Sequence, residues 1–223
     1  ADLVTAIDRN YHGMGVMYPV ERNGKWEMFV GYCSGDLQEQ IQFHDTHKAK
    51  STRGFAVHMR LTTKGDNSLS NYHPHKISDK MWLMHNGTIP GYGDAVESDT
   101  TAYVREVLSP LLTANPEIVR NATFRAMVER DIGGWSRLVI MDVTGEVFYF
   151  NKEDGIRRNG VWLSNDYSVT GCAPFKGIAT RTVDGVKEEW CSKEGAWLVY
   201  TPTYPTSDAY NYPASKYSSP CYE

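Results

Sequence analysis

The sequence lacks any apolar run approaching the roughly 20 residues that a membrane-spanning helix needs, its longest, such as Leu138–Met141, being far shorter. No membrane partner is expected. Positive charge is not in excess either: 23 Lys and Arg against 27 Asp and Glu leave a net charge of −4. That balance gives no electrostatic case for a nucleic-acid partner. Residues 1–10 show no basic segment followed by an apolar one, so no signal peptide is visible. Cysteine is sparse. Cys33, Cys172, Cys191 and Cys221 are scattered, with no CxxC and no metal-ligand spacing. Reduced, partly buried thiols are expected, and from them a cytoplasmic location. No carboxylate stands at zincin spacing from a histidine, so no metal is expected, and nothing calls for a cofactor.

What the chain does contain is ordinary for a globular protein, with 41% hydrophobic and 22% charged residues over a length of 223. That length suits one large domain or two small ones. Apolar spacing predicts helices at Asp2–Tyr11 and Thr100–Leu112, with Pro116–Glu129 and the polar segment Asp36–Lys50 as further helix candidates. Val16–Val20 and Trp26–Tyr32 flank Asn23-Gly24, a strong hairpin signal. Further strands are predicted at Phe55–Leu61, Met81–Met84, Ser136–Asp142, Glu146–Asn151, Val161–Ser164 and Ala196–Tyr200. Strands, then helices, then strands again predict a layered protein of the α+β kind with mostly antiparallel pairing. Residues 1–200 form the expected domain. Residues 201–223, rich in Tyr, Pro and Ser, form a tail placed along the domain or on a neighbouring subunit, through which a homo-oligomer or a protein partner would assemble.

Three short segments carry polar chemistry at close spacing: His58-Met-Arg-Leu-Thr-Thr-Lys-Gly65, Asn71-Tyr-His-Pro-His75 and His85-Asn-Gly-Thr-Ile89, followed by Glu97-Ser-Asp-Thr-Thr101. Arg60, at a strand end, suits a bidentate carboxylate ligand or a structural salt bridge. Thr63 is a hydroxyl donor or a strand residue. Asn86-Gly87 is a plain turn, or a pair of N–H donors facing an oxyanion. Asp99 caps the following helix or accepts from a ligand ammonium. Cys33 reads as a packing or surface thiol.

Together these segments resemble the ordered motifs of class II glutamine amidotransferase domains, members of the N-terminal-nucleophile hydrolases. The resemblance extends over Leu3 to Tyr200, taking in His12-Gly-Met-Gly15, Trp135–Asp142 and Phe148–Ser164. It implies a four-layer αββα sandwich of two mostly antiparallel sheets. It also implies that Arg60 binds the α-carboxylate of glutamine with Thr63 nearby, and that Asp99 takes the α-ammonium. Asn86 and Gly87 would form the oxyanion hole, and His73 would shape the pocket without acting as base. The implied reaction is hydrolysis of the side-chain amide of glutamine, or of a related γ-glutamyl small molecule.

The chain departs from the family pattern at Leu61, where an aromatic is usual, and at Lys64, where histidine is usual. The family nucleophile is an N-terminal cysteine on the first strand, whereas this sequence starts at Ala1 and enters the first predicted helix. Two expectations follow. In one, a Cys-bearing segment precedes residue 1 and the protein is an amidohydrolase, inactive without that cysteine. In the other, the domain is catalytically silent and serves as a structural or interaction module through its tail.

Overall fold

The computed structural model describes residues 2–61 and 68–165, together with strands at 180–183, 186–191, 196–199 and 221–222. It divides into two compact units. One comprises residues 1–169 with 219–223, and the other residues 170–218.

In the first unit, helix α1 (Asp2–Arg9) leads into β1 (Met14–Arg22) and β2 (Lys25–Cys33). α1 is shorter than its apolar spacing predicts. Asn10 turns back to donate to the Ala6 carbonyl at 2.8 Å, ending the helix before Tyr11. The β1–β2 hairpin closes on Asn23-Gly24, both at positive φ (54° and 75°), the twist that matches paired strands. Helix α2 (Leu37–Lys50) follows, started by a capping box in which Asp36 and Glu39 bond each other's backbone N–H. β3 (Ala56–Met59) then returns beside β1, antiparallel. Pro19 sits inside β1 without breaking a ladder, because the β1–β3 pairing spans only Met14–Met17.

β4 (His75–Ser78) and β5 (Met81–Asn86) begin a second antiparallel sheet. A helical stretch then runs through α3 (Asp99–Tyr103), a π turn at Val104–Leu108, and α4 (Ser109–Ala114). The regular helix expected over Thr100–Leu112 is widened there. Pro110 has no N–H to offer the Glu106 carbonyl and its ring crowds that group, which a π turn relieves. The second predicted helix is also divided. Pro116–Arg120 is 3₁₀, and Asn121 caps a separate α5 (Ala122–Ile132) by accepting from Phe124 N at 3.0 Å. β6 (Arg137–Asp142) and β7 (Val147–Phe150) complete the sheet in the order β4-β5-β6-β7. β8 (Ile156–Arg158) and β9 (Val161–Leu163) form a small hairpin.

In the other unit, β10 (Thr180–Val183), β11 (Val186–Cys191) and β12 (Ala196–Val199) form an antiparallel sheet in chain order. β13 (Cys221–Tyr222) belongs to the first unit and pairs with β2, giving the sheet order β13-β2-β1-β3.

Alternation along the strands sorts the apolar residues into three buried clusters. Met14, Val16, Tyr18 and Cys33 join Ile7 of α1 and Phe43 of α2. Met17, Met84 and Met141 meet Met28, Val30, Ala56, Trp82, Val139 and Val147, drawn from both four-stranded sheets. Leu83, Leu138, Ile140, Phe148 and Phe150 pack against Tyr103, Leu108, Leu112, Phe124, Val128 and Ile132. The architecture is α+β with antiparallel sheets.

Cys33 corrects the sequence expectation. It is wholly buried and disulfide-bonded, not a reduced thiol. Its backbone lies opposite Cys221 of β13. The hairpin register makes this a non-hydrogen-bonded pair, the kind whose Cα atoms sit about 4.5 Å apart, within disulfide range. The free-thiol basis for a cytoplasmic location is thereby removed. Among the described residues no helix is long and apolar enough to cross a membrane. Most of the 201–223 tail lies outside the described residues, as does Thr63.

Candidate functional site

Backbone hydrogen bonds continue past the paired ends of β1 and β3. Arg60 N–H donates to Gly13 O at 2.7 Å, and His12 N–H to Arg60 O at 3.1 Å. This places the Arg60 side chain in the interior, where it is 5% exposed. Its guanidinium donates to the Asn71 carbonyl and lies 5.3 Å over the Tyr72 ring. The Tyr72 hydroxyl in turn donates to the His12 carbonyl.

Asn71 joins Arg60 to the start of α3. Its Oδ1 accepts from Ser98 N–H at 2.8 Å, and its Nδ2 donates to the Val96 carbonyl at 2.7 Å. Ser98 caps α3 through Thr101 N–H at 3.1 Å. The next residue, Asp99, accepts from Ile89 N–H at 2.6 Å and from Thr100 N–H at 2.9 Å. Those bonds use two of about four acceptor positions on the carboxylate. Asp99 therefore pins the turn that leaves β5, and Thr100 Oγ1 adds a 2.8 Å bond to His85 Nδ1.

That turn is Asn86-Gly87. Gly87 has φ +131°, and a Cβ there would meet Ser136 Cα and Oγ at 2.7 Å and the Trp135 carbonyl oxygen at 2.8 Å. Only glycine fits without moving backbone. The bond from Val143 N–H to Lys80 O sets the alternation along β5 and β6, making Asn86–Arg137 a doubly bonded pair. The Asn86 carbonyl thus faces β6, and the Gly87 N–H, trans to it across one planar peptide, faces the other way. On that side the β4–β5 ladder reaches no further than His75–Leu83.

Three buried histidines, His73, His75 and His85, and the half-buried His58 fill the space between these elements. His73 lies 4.1 Å from His58, 4.6 Å from His75 and 6.3 Å from His85, ring centre to ring centre. Gly15 makes room for this group, since a Cβ there would lie 1.6 Å from the His73 carbonyl oxygen. Both ring nitrogens of His73, Nδ1 of His58, and Nε2 of His75 and His85 have no protein hydrogen-bond partner. Burial, with neighbouring histidines and Arg60, lowers His58 to about 3, and burial with Arg60 lowers His75 to about 3. Burial takes His85 to about 4 against the opposing pull of Asp99, and drives His73 well below its ordinary value. At neutral pH the cluster is uncharged. Among the described residues no group of three or more His, Cys, Asp or Glu is arranged to hold a metal ion.

Of the residues singled out from sequence, Arg60, His73, Asn86, Gly87 and Asp99 thus sit on segments tied together through Asn71, Ile89 and the histidines. Contributors not singled out include His58 and His75 in the cluster, Asn71 as the joint, and Asn165, whose Nδ2 donates to Asn86 Oδ1 at 2.9 Å. Asn71 stands in a quoted motif, but neither its spacing nor that of Asn165 signals a role. A groove of about 460 Å³ lined by Val20, Arg22, Glu27, Met28, Phe29, Val30 and Trp82 contains none of the site residues. Compared with protein-family models and with curated proteins, the chain gives no significant match.

Proposed function

We propose that this domain binds glutamine, or a γ-glutamyl small molecule, as the amidohydrolase unit of a class II glutamine amidotransferase. The observation that carries this reading is the Asn71-centred network, which holds one buried arginine and one buried carboxylate on a scaffold shared with the Asn86-Gly87 turn. In this reading Arg60 takes the α-carboxylate and Asp99 the α-ammonium. Asn86 Nδ2–H and the outward Gly87 N–H receive the carbonyl oxygen of the side-chain amide. The neutral His73 shapes the floor. A four-layer αββα sandwich belongs to the same proposal, and the three apolar clusters support it: helices on one sheet, sheet on sheet, and helices on the other sheet.

Hydrolysis needs a nucleophile, and Cys33 is excluded by its disulfide. The proposal assigns that role to a cysteine ahead of Ala1. Its thiolate would attack the amide carbon, forming a C–S bond and an oxyanion held by the two N–H donors. Ammonia would leave with a proton from the α-amino group, and water would then cleave the thioester to release glutamate.

Titration calorimetry with L-glutamine tests the binding arm. The protein binds it, and Arg60→Lys, which keeps the charge and loses the planar fork, weakens binding by about tenfold or more. Absence of glutamine-dependent heat in the parent protein ends the reading. N-terminal sequencing of the natural protein tests the chemical arm: a mature chain with no cysteine at its start removes hydrolysis and leaves only binding.

A further inference from the structure

We infer that Asn165 is a positioning residue for Asn86, fixing which end of its carboxamide faces a ligand. The inference rests on the glutamine-binding reading and adds a member to that site. Asn86 is one of two N–H donors proposed for the substrate carbonyl, yet a carboxamide is ambivalent. Rotated by half a turn, it presents an oxygen, which would repel the same carbonyl.

The structure contains a group that decides between the two. Asn165 Nδ2 donates to Asn86 Oδ1 at 2.9 Å, so the oxygen is engaged and the nitrogen is turned away from Asn165. The Asn86 backbone has no freedom to compensate, because it forms a doubly bonded pair with Arg137. Both asparagines are half-buried, so water competes only partly for the bond.

Asn165 lies two residues beyond β9. It follows the β8–β9 hairpin, and Trp162, three residues earlier, anchors that hairpin to the sheet. Trp162 Nε1 donates to the Lys152 carbonyl at 3.2 Å, and its ring meets Tyr149 edge-on at 4.9 Å. Gly155 passes directly under the indole, where a Cβ would come within 2.5 Å of the ring. Arg137 Nη2 donates to the Asp154 carbonyl at 3.2 Å, tying the turn before β8 to the residue that pairs with Asn86. Asn86 thus lies on the sheet to which the hairpin preceding Asn165 is tied.

The test compares Asn165→Asp with Asn165→Ala in the chain as it stands, by calorimetry with L-glutamine and by NMR of side-chain amides, with Asn86→Asp identifying the Asn86 signal. The Asp variant replaces a donor by an acceptor of the same shape. It turns the Asn86 nitrogen toward itself, moves that amide downfield, and weakens glutamine binding by about tenfold. The Ala variant only frees the carboxamide and weakens binding by about threefold, with no downfield move. Thermal midpoints of both stay near that of the parent. An unchanged Asn86 amide in Asn165→Asp overturns the inference, as does equal glutamine affinity across the three proteins. If the parent itself binds no glutamine, the functional reading fails, while the amide signal still decides whether Asn165 sets the orientation of Asn86.

Discussion

One glycine and one cysteine set hard constraints at the residue scale. Gly15 allows the His73 carbonyl to pass where a methyl group would sit at 1.6 Å, and that obstacle is backbone, which has no rotamer to swing aside. Gly15→Ala is expected to cost more than about 3 kcal/mol, in the range of severe core substitutions. A drop of more than about 6 °C in the thermal midpoint is the readout, and a midpoint equal to the parent's would show that the strand and the His-Pro segment can part without loss. Cys33 makes a chemical prediction. In the unfolded, unreduced protein the Cys33 peptide takes no iodoacetamide, and after reduction it does. Mass spectrometry finding it alkylated without reductant would contradict the disulfide.

At the scale of elements, most of the framework is legible in the sequence, because it depends on local signals. Asn23-Gly24 announced the β1–β2 hairpin, and the capping-box residues Asp36 and Glu39 mark the start of α2. The same logic predicts that Asn121→Ala removes the cap of α5 at a cost of about 1 kcal/mol. A fall of about 2–4 °C in a calorimetric scan is expected for a chain of this size. What the sequence did not show falls into weak local signals and partners distant along the chain. β4 is four residues long, follows a proline and takes its pairing from β5, so no periodicity betrays it. The π turn arises where Pro110 meets an otherwise good helical pattern. The site motifs were readable as residue types, but their joint was not. Asn71 bonds residues 25 and 27 positions away, and Asn165 reaches Asn86 across 79. Neither distance leaves a local trace.

Across the first unit as a whole, the clustered histidines make stability depend on acid. Their ordinary value is 6.5, and His58 and His75 are held at about 3 and His85 at about 4 in the folded chain. The unfolded chain therefore binds protons that the folded chain refuses. Stability is unaffected above pH 6.5, falls as pH drops below it, and levels off once the folded values are passed. One such histidine costs about 1.4 kcal/mol for each pH unit within that window. Urea midpoints at pH 7 and pH 5 measure the effect. A clear decrease is expected in the parent and a smaller one in His75→Gln, whereas equal midpoints in the parent would mean that the cluster accepts protons while folded.

The seam between the two four-stranded sheets has a consequence in sulfur chemistry. Of the eight methionines in the chain, Met17, Met28, Met84 and Met141 line that seam. Met127 stands 54% exposed on α5, far more open to reagent than the buried Met17, Met84 and Met141. Thioethers fill an irregular gap well, but each becomes a polar, chiral sulfoxide on oxidation, which a dry layer cannot accommodate. Dilute peroxide should therefore modify Met127 first and leave the seam intact for as long as the sheets stay closed. Oxygen atoms appearing on Met17, Met84 and Met141 together would record the sheets coming apart, so the protein carries its own chemical clock for opening at its centre.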